Sequence, residues 1–491
     1  MLMLLRLLLV SFSLLLSAVI AAAEEDMVRL KVEQRYEQFQ VSDWFADSGL
    51  DSMLSPLMEV IGQQNILEDE QQYYHAADLY DAGHKQLAFY YMHHLAHLGY
   101  SVPQFYLGYM YNVGEVVEQN YEEAAYWYLL ASMNGDADAQ RNLGYMFYYG
   151  EGLAVDYDEA IYWLSQASFN ADPDAQFELA YIYDMGEVVA EDKFKAIELY
   201  KMASRADHAK ATHFLGLSYR DGDGVETDYA TAFQYFSQAA ELGHTAAMSE
   251  LGYFYLNGFG TEENFDKAFE WFEKAKAQND INAYYNIAWM YENGVGVQQD
   301  YEKALEHYLV AAKASDPDAL FQVGYFYAEG KGTKQDIRQA VYWYERAISH
   351  NSLSAMNNLA NINYNDTGQW RDHAQALELW EKAANGGHLL AQYNLGAYYE
   401  TVENPSRDAQ KAFEWYLKAA KQNDGESQYK IAQMYLSGNG TDPNFEQYQY
   451  WLKQASDNNY QPAKDELGDE GETLDPSILE QIRKIMEEAN K

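Results

Sequence analysis

The stretch "NLGYMFYYGEG", residues 142–152, decides the fold. It sets Gly144 inside an apolar run with helical spacing and then closes on Gly150. Nearly the same phrase stands at 106 as "YLGYMYNVGEV" and at 322 as "QVGYFYAEGKG". Read in steps of 36 residues, Gly144 recurs as Gly108, Gly216, Gly252, Gly324, Gly396 and Gly468, with Ala180, Ala288, Ala360 and Ala432 in the remaining places. A Leu, Ile or Val precedes every one of them. An unbroken period of this length is the signature of a repeat architecture.

The two glycines of the phrase have different work. Gly costs about 1 kcal/mol against Ala inside a helix. A position that needed positive φ would not accept Ala four times, so the Gly144 column is selected for small size. The expectation is close approach there by a neighbouring helix, with successive two-helix layers nesting on these residues. Gly114, Gly150, Gly186, Gly222, Gly258, Gly294, Gly330 and Gly438 form a second column without Ala, and Asp366 is one exception in it. Gly and Asp tolerate the left-handed conformation that ends a helix. Val402 breaks this column, which predicts an altered turn in "TVENPSRD".

A second helix starts six residues after Gly150. Asn120, Asp156, Asp192, Asp228, Asn264, Asp300, Asp336, Asp372, Asp408 and Asn444 are all N-cap residue types, whose side-chain oxygen accepts from free backbone N–H groups. Apolar residues then follow at spacings of three and four. Each unit is helix A (about 139–149), a loop, helix B (157–169) and a short turn. "ADPDAQ" and "SDPDAL" restart helix A, with Asp172 or Asp316 as cap and a proline in the first turn. One such hairpin cannot bury both apolar faces, whereas stacked hairpins can. The chain is thus expected to be an all-α solenoid of about 11 helix-turn-helix repeats of 36 residues over 66–468, the first degenerate. Residues 24–65 lack the period and read as an N-terminal cap or partly ordered arm. Residues 469–491 read as a capping helix from Asp475, with Ile478, Ile482, Ile485 and Met486 along one face.

Residues 1–23 carry one charge, Arg6, then an apolar run ending in Ala21-Ala22-Ala23, the pattern of a secretory signal peptide. An uncleaved anchor is the other reading of that run. The chain is therefore expected to be exported, periplasmic or secreted in a bacterium, or in the secretory pathway of a eukaryote. There Asn365 and Asn439 would be glycosylation acceptors. With no cysteine among 491 residues, packing alone must hold it together. The formal charge of -43 disfavours nucleic acid and anionic lipid, and suits a cationic partner or simply solubility.

The phrases "LGYMFYYGEGLAVDYDEAIYWLSQAS" and "LGYFYLNGFGTEENFDKAFEWFEKAKAQND" resemble the Sel-1-like repeat, a relative of the tetratricopeptide repeat with a longer A-to-B loop. The resemblance implies a right-handed superhelix with helix A lining the concave side. It also implies a role as an adaptor, as in quality-control subunits and bacterial scaffolds. The cysteine-rich branch of the family is excluded by composition.

Residues that define the repeat are structural, so function belongs in columns that vary. On helix A, positions 138, 142, 145 and 149 share one face. The 145 column holds Tyr109, Tyr145, Tyr181, Tyr253, Trp289 and Tyr325, and the 142 column holds Asn142, Glu178, Asn286, Gln322, Asn358 and Asn394. Such rungs could clamp an extended protein segment or peptide, or stack on sugar rings in a polysaccharide-secretion scaffold. Equally, the tyrosines could fill the seam between repeats with hydroxyls at the rim. His93 and His97 lie one turn apart, but His94 stands where a metalloprotease has its Glu, so they read as ordinary helix histidines. His208, His244 and His388 fall at the start of helix A and read as turn residues. "RDGDGVETD" lacks the ligands of a calcium loop and reads as an A-to-B loop. No nucleophile elbow, phosphate loop or cofactor fingerprint is present. A hydrolase of the penicillin-binding type, suggested by some relatives, finds no residue to carry it. The expectation is a non-enzymatic scaffold without cofactor or metal, its oligomeric state open.

Overall fold

A computed structural model describes residues 76–365, 368–401 and 407–467. The signal-peptide, N-terminal-arm and capping-helix readings all fall outside the described residues, as do Asp366 and Val402. The described chain divides into two compact units, one ending at Asp192 and the next beginning at Lys193. In the first, a helical stretch over 76–81 precedes α1 (Lys85–His97), α2 (Ser101–Val113), α3 (Tyr121–Met133), α4 (Ala137–Tyr149), α5 (Tyr157–Phe169) and α6 (Pro173–Met185).

The second unit opens with α7 (Lys193–Arg205), α8 (Ala209–Asp221), α9 (Tyr229–Glu241), α10 (Thr245–Asn257) and α11 (Phe265–Ala277). It continues through α12 (Ile281–Asn293), α13 (Tyr301–Lys313), α14 (Pro317–Glu329), α15 (Ile337–Ser349), α16 (Leu353–Asn365) and α17 (His373–Asn385). It closes with α18 (Leu389–Glu400), α19 (Ala409–Ala420), α20 (Gly425–Ser437), α21 (Phe445–Asp457) and α22 (Gln461–Leu467). No strand occurs among the described residues. Within each unit every helix packs mainly on its neighbours in sequence, and even-numbered helices from α2 onward are helix A. This is the packing order of an α-solenoid.

The caps form as their residue types dictate. Asp156 Oδ1 accepts the Glu159 N–H at 3.1 Å and starts α5 at Tyr157. Asp136 accepts the Ala139 N–H at 2.9 Å, which places the start of α4 at Ala137, two residues before the expected boundary. His208, His244 and His388 are N-caps rather than plain turn residues. Their Nδ1 atoms accept the N–H of Ala211, Ala247 and Ala391 at 3.0, 3.2 and 3.2 Å. An accepting ring nitrogen is an unprotonated one, so these caps require neutral imidazole. At the other end of helix A, Gly150 has φ +75° and closes α4 in the left-handed conformation. Helix α18 lacks that glycine and stops one residue early, with Thr401 extended.

The Gly144 column does admit a neighbouring helix, as expected, but the neighbour is helix B of its own pair and not the next layer. A Cβ on Gly144 would stand 2.8 Å from Leu164 Cγ, and one on Gly216 would stand 2.5 Å from the Phe236 ring. Both neighbours lie on helix B of the same pair, twenty residues on. The small residue seats a core side chain inside its own hairpin. Close approach between layers occurs instead at the second glycine of the G-x-G loop. Gly260 has φ +63°, and a Cβ there would lie 2.1 Å from the carbonyl oxygen of Tyr229, the first residue of the preceding helix B. Gly152, Gly332 and Gly440 repeat this contact against the Tyr121, Tyr301 and Ala409 carbonyls, whereas at Gly224 and Gly296 the nearest atoms are the Cβ of Lys193 and of Phe265, at 2.8 and 2.7 Å. A carbonyl that near leaves no room for any side chain.

Candidate functional site

The four-residue face of helix A separates into tied and open columns. Position 142 lies three and four residues from the buried Ala139 and Met146, whereas 145 neighbours the exposed 149. In the first unit Tyr109 and Tyr181 are 41% and 40% exposed, while Asn142, Tyr145 and Glu178 are half-buried. In the second unit Tyr253 is exposed and Asn286, Trp289, Gln322, Tyr325, Asn358 and Asn394 are half-buried. Tyr149, Asn257, Asn293, Glu329 and Asn365, all in the 149 column, are exposed.

Much of the 142 column serves as joinery between repeats. Glu250 receives Arg220 Nη1 at 2.8 Å, and Lys430 donates to Glu400 at 2.9 Å. Asn394 Nδ2 donates to Asn357 Oδ1 at 2.9 Å and Asn361 Oδ1 at 3.1 Å on the preceding helix A. Asn358 Nδ2 donates to the Tyr344 hydroxyl at 3.3 Å, and Asn286 Nδ2 to its own helix at Asn282 O, 2.9 Å. The rungs are therefore not one uniform ladder. Amides of the 142 column brace the stack, while tyrosines of the 145 column and residues of the 149 column face outward to differing degrees.

A cavity of about 450 Å³ opens between α14, α15 and α16 in the second unit. It brings Tyr325 and Asn358 together with Glu329, Gln335, Tyr344 and Asn361. Tyr325 stacks on Phe321, centroids 6.4 Å apart, and the Lys331 ammonium lies 4.7 Å from the Tyr325 centroid. Lys331 is met by Glu292 at 3.5 Å, and Glu292 also accepts from the buried Tyr308 hydroxyl at 2.9 Å. Burial pushes the Tyr344 hydroxyl well above its usual range, so it stays neutral, accepts from Asn358 and keeps its proton to donate. Glu329, Gln335 and Asn361 were not among the residues singled out from the sequence, although Glu329 and Asn361 occupy the 149 and 145 positions of that same face. Gln335 lies in an A-to-B loop, and only the packing brings it there.

The remaining candidates have structural surroundings. The His93 and His97 rings lie 4.2 Å apart, and His97 packs edge-on to Trp127 at 4.9 Å. Burial, then His97, holds His93 down to about 4. In the "RDGDGVETD" loop Arg220 pairs with Asp221 at 2.8 Å, Lys193 with Asp223 at 2.9 Å, and Asp228 caps α9. No group of His, Asp and Glu able to hold a metal occurs among the described residues. No helix among them is long and apolar enough to cross a membrane.

The Sel1 repeat model matches ten segments of the chain between residues 104 and 460. A protective antigen of uropathogenic Escherichia coli, c5321, which displays an SLR fold, is 26% identical, with a TM-score of 0.50 over 82% of this chain and 94% of that one. A Sel1 repeat protein of Oxalobacter formigenes is 24% identical, with a TM-score of 0.49 over 62% of this chain and 90% of that one. No curated protein matches the sequence significantly. With ten matched repeats across most of its length and the paired helices, caps and loops described above, this chain belongs to the Sel1 repeat family.

Proposed function

We propose that this protein is a non-catalytic, exported interaction scaffold that binds a protein partner along its helix A face. The observation that carries the reading is the division of labour on that face. The 142 column braces the stack through bonds such as Asn394 to Asn357, while Tyr109, Tyr181 and Tyr253 are left about two-fifths exposed. A surface built this way can change what it displays without disturbing what holds it, which is how repeat proteins diversify their ligands. Tyrosines cover an extended segment's side chains and amides hold its backbone. The formal charge of -43 favours a cationic partner.

A photo-crosslinking residue at Tyr181 or Tyr253 should trap one defined partner in the native organism. The same residue at Tyr342 or Tyr450, 49% and 52% exposed on helix B, should not trap it. Capture of that partner from helix B positions alone would sink the reading. With the crosslinking residue moved to the exposed Asn257, replacing Tyr145, Tyr181 and Tyr253 by Ala should abolish capture while the circular dichroism melt stays cooperative. Lost folding with no separable loss of partner would return these residues to the inter-repeat seam. A glycan array bound by the wild type and not by this triple variant would favour the polysaccharide-secretion reading instead.

A further inference from the structure

We propose that the cavity between α14, α15 and α16 is a receptor for a basic side chain, an arginine guanidinium above all, presented by the partner; this rests on the scaffold reading. The case is a hydrogen-bond inventory. Gln335 Nε2 donates to Ala328 O at 2.7 Å and Asn365 Nδ2 to Asn361 O at 2.9 Å. Asn358 spends its nitrogen on Tyr344 and its oxygen on Asn357 Nδ2 at 3.2 Å. The Gln335 and Asn365 amides have thus used a donor each, and their oxygens have no donor among the described residues.

Asn361 runs the other way. Its Oδ1 takes Trp380 Nε1 and Asn394 Nδ2, both at 3.1 Å, so its NH2 is left for the cavity. Counted by hydrogen and lone pair, the Gln335 and Asn365 oxygens and the Glu329 carboxylate offer about eight acceptor positions against about five N–H groups, two on Asn361 and one left on each of Gln335, Asn365 and Asn358, with two hydroxyls that can play either part. The cavity is richer in acceptors than in donors.

Charge points the same way. Lys331, beside Tyr325, is neutralised by Glu292, whereas Glu329 has no ion pair among the described residues. A carboxylate or phosphate ligand would meet Glu329 uncompensated. A guanidinium supplies five N–H donors and no acceptor in one plane, which matches this inventory better than a point-charge ammonium. Ala328, Ile337 and Ile362 line the same space and would take the methylene stem. At about 450 Å³ the cavity falls within the range of ligand clefts, roughly 300–1,000 Å³.

The test uses the full chain and calorimetric titration with acetyl-Gly-Arg-Gly-amide, set against its citrulline analogue, which keeps the shape and loses the charge. Arginine should bind about tenfold more tightly than citrulline. Glu329→Gln should remove that preference and leave the unfolding midpoint unchanged, since Glu329 is exposed and makes no ion pair among the described residues. Gln335→Leu should weaken the arginine peptide several-fold. Equal affinity for both peptides, indifference to Glu329→Gln, or no binding overturns the assignment. Should the peptide fail while the Tyr181 and Tyr253 crosslinks persist, only the cavity's role falls. Should the peptide bind while those crosslinks fail, the scaffold reading falls and the cavity stands as a site for a small basic ligand.

Discussion

His213 on α8 should make this protein acid-labile at one identifiable place. Its side chain is 8% exposed, and neither ring nitrogen has a partner among the described residues. The ring stacks on His244 at 4.5 Å and lies 5.8 Å from Phe236. Burial, then His244 and Arg220, holds it down to about 3 from 6.5. A depressed folded value means that the folded chain refuses a proton the unfolded chain accepts. Stability from this source is complete above pH 6.5 and is lost as the pH falls toward 3. Between pH 7 and pH 5 the loss is about 2 kcal/mol, since the unfolded ring is mostly protonated at pH 5 and the folded ring is not.

Phe stands at the equivalent place in other repeats, as Phe105, Phe177 and Phe321, so His213→Phe suits the site. The assay is urea unfolding of wild type and His213→Phe at both pH values. Carboxylates titrate in both proteins and cancel in the difference. The variant's advantage should widen by about 2 kcal/mol at pH 5. A difference unchanged between pH 7 and pH 5 would refute the reasoning. Hydrogen exchange of α8 amides reports the same event locally, and its protection should fall further with acid in the wild type than in His213→Phe, in which only the His208 cap of that helix remains acid-sensitive.

The two glycine columns separate by mutation. Gly260→Ala places a Cβ against the Tyr229 carbonyl at a left-handed φ and should cost about 3 kcal/mol, whereas Gly252→Ala displaces only the Phe272 ring, regains helix propensity and should cost about 1 kcal/mol. Paired denaturation curves check the order, and a reversal would return the layer contact to helix A. Asp156→Ala removes the α5 cap and should cost about 1 kcal/mol, recovered by Asp156→Asn in the same assay. Glu466→Ala strips the acceptor from the Tyr429 and Tyr448 hydroxyls, at 2.8 and 2.6 Å, and from Gln433. Tyr448 is fully buried, so the orphaned hydroxyl should cost about 2 kcal/mol and raise exchange in α20 and α21.

Signals that survived the passage from sequence to structure span few residues. Asp156 caps a helix by bonding Glu159, three residues on, and Gly150 ends one by its own φ, so composition at a single position is enough to read them. The histidine caps were half legible: their register was plain, but an imidazole accepting where Asp usually does is a choice of rotamer and tautomer. The Gly144 column was read as small but assigned to the wrong neighbour. Small size says that something comes near, and not what. The G-x-G spacing at 258–260 and 330–332 was the available sign of the layer contact, since Gly150 alone accounts for ending the helix.

The period, the caps and the alternation of helix A with helix B were determined by the sequence itself, because each is a local preference repeated ten times in register. Tertiary structure alone decided which variable residues are open. Asn394 bonds Asn357 and Asn361 more than thirty residues away because layers of fixed spacing bring those side chains within hydrogen-bonding distance, and Gln335 lines the same cavity as Asn358 because the packing of α14, α15 and α16 encloses both. An amide at position 142 looks the same in the sequence whether a neighbour satisfies it or a ligand must, and only packing tells the two apart.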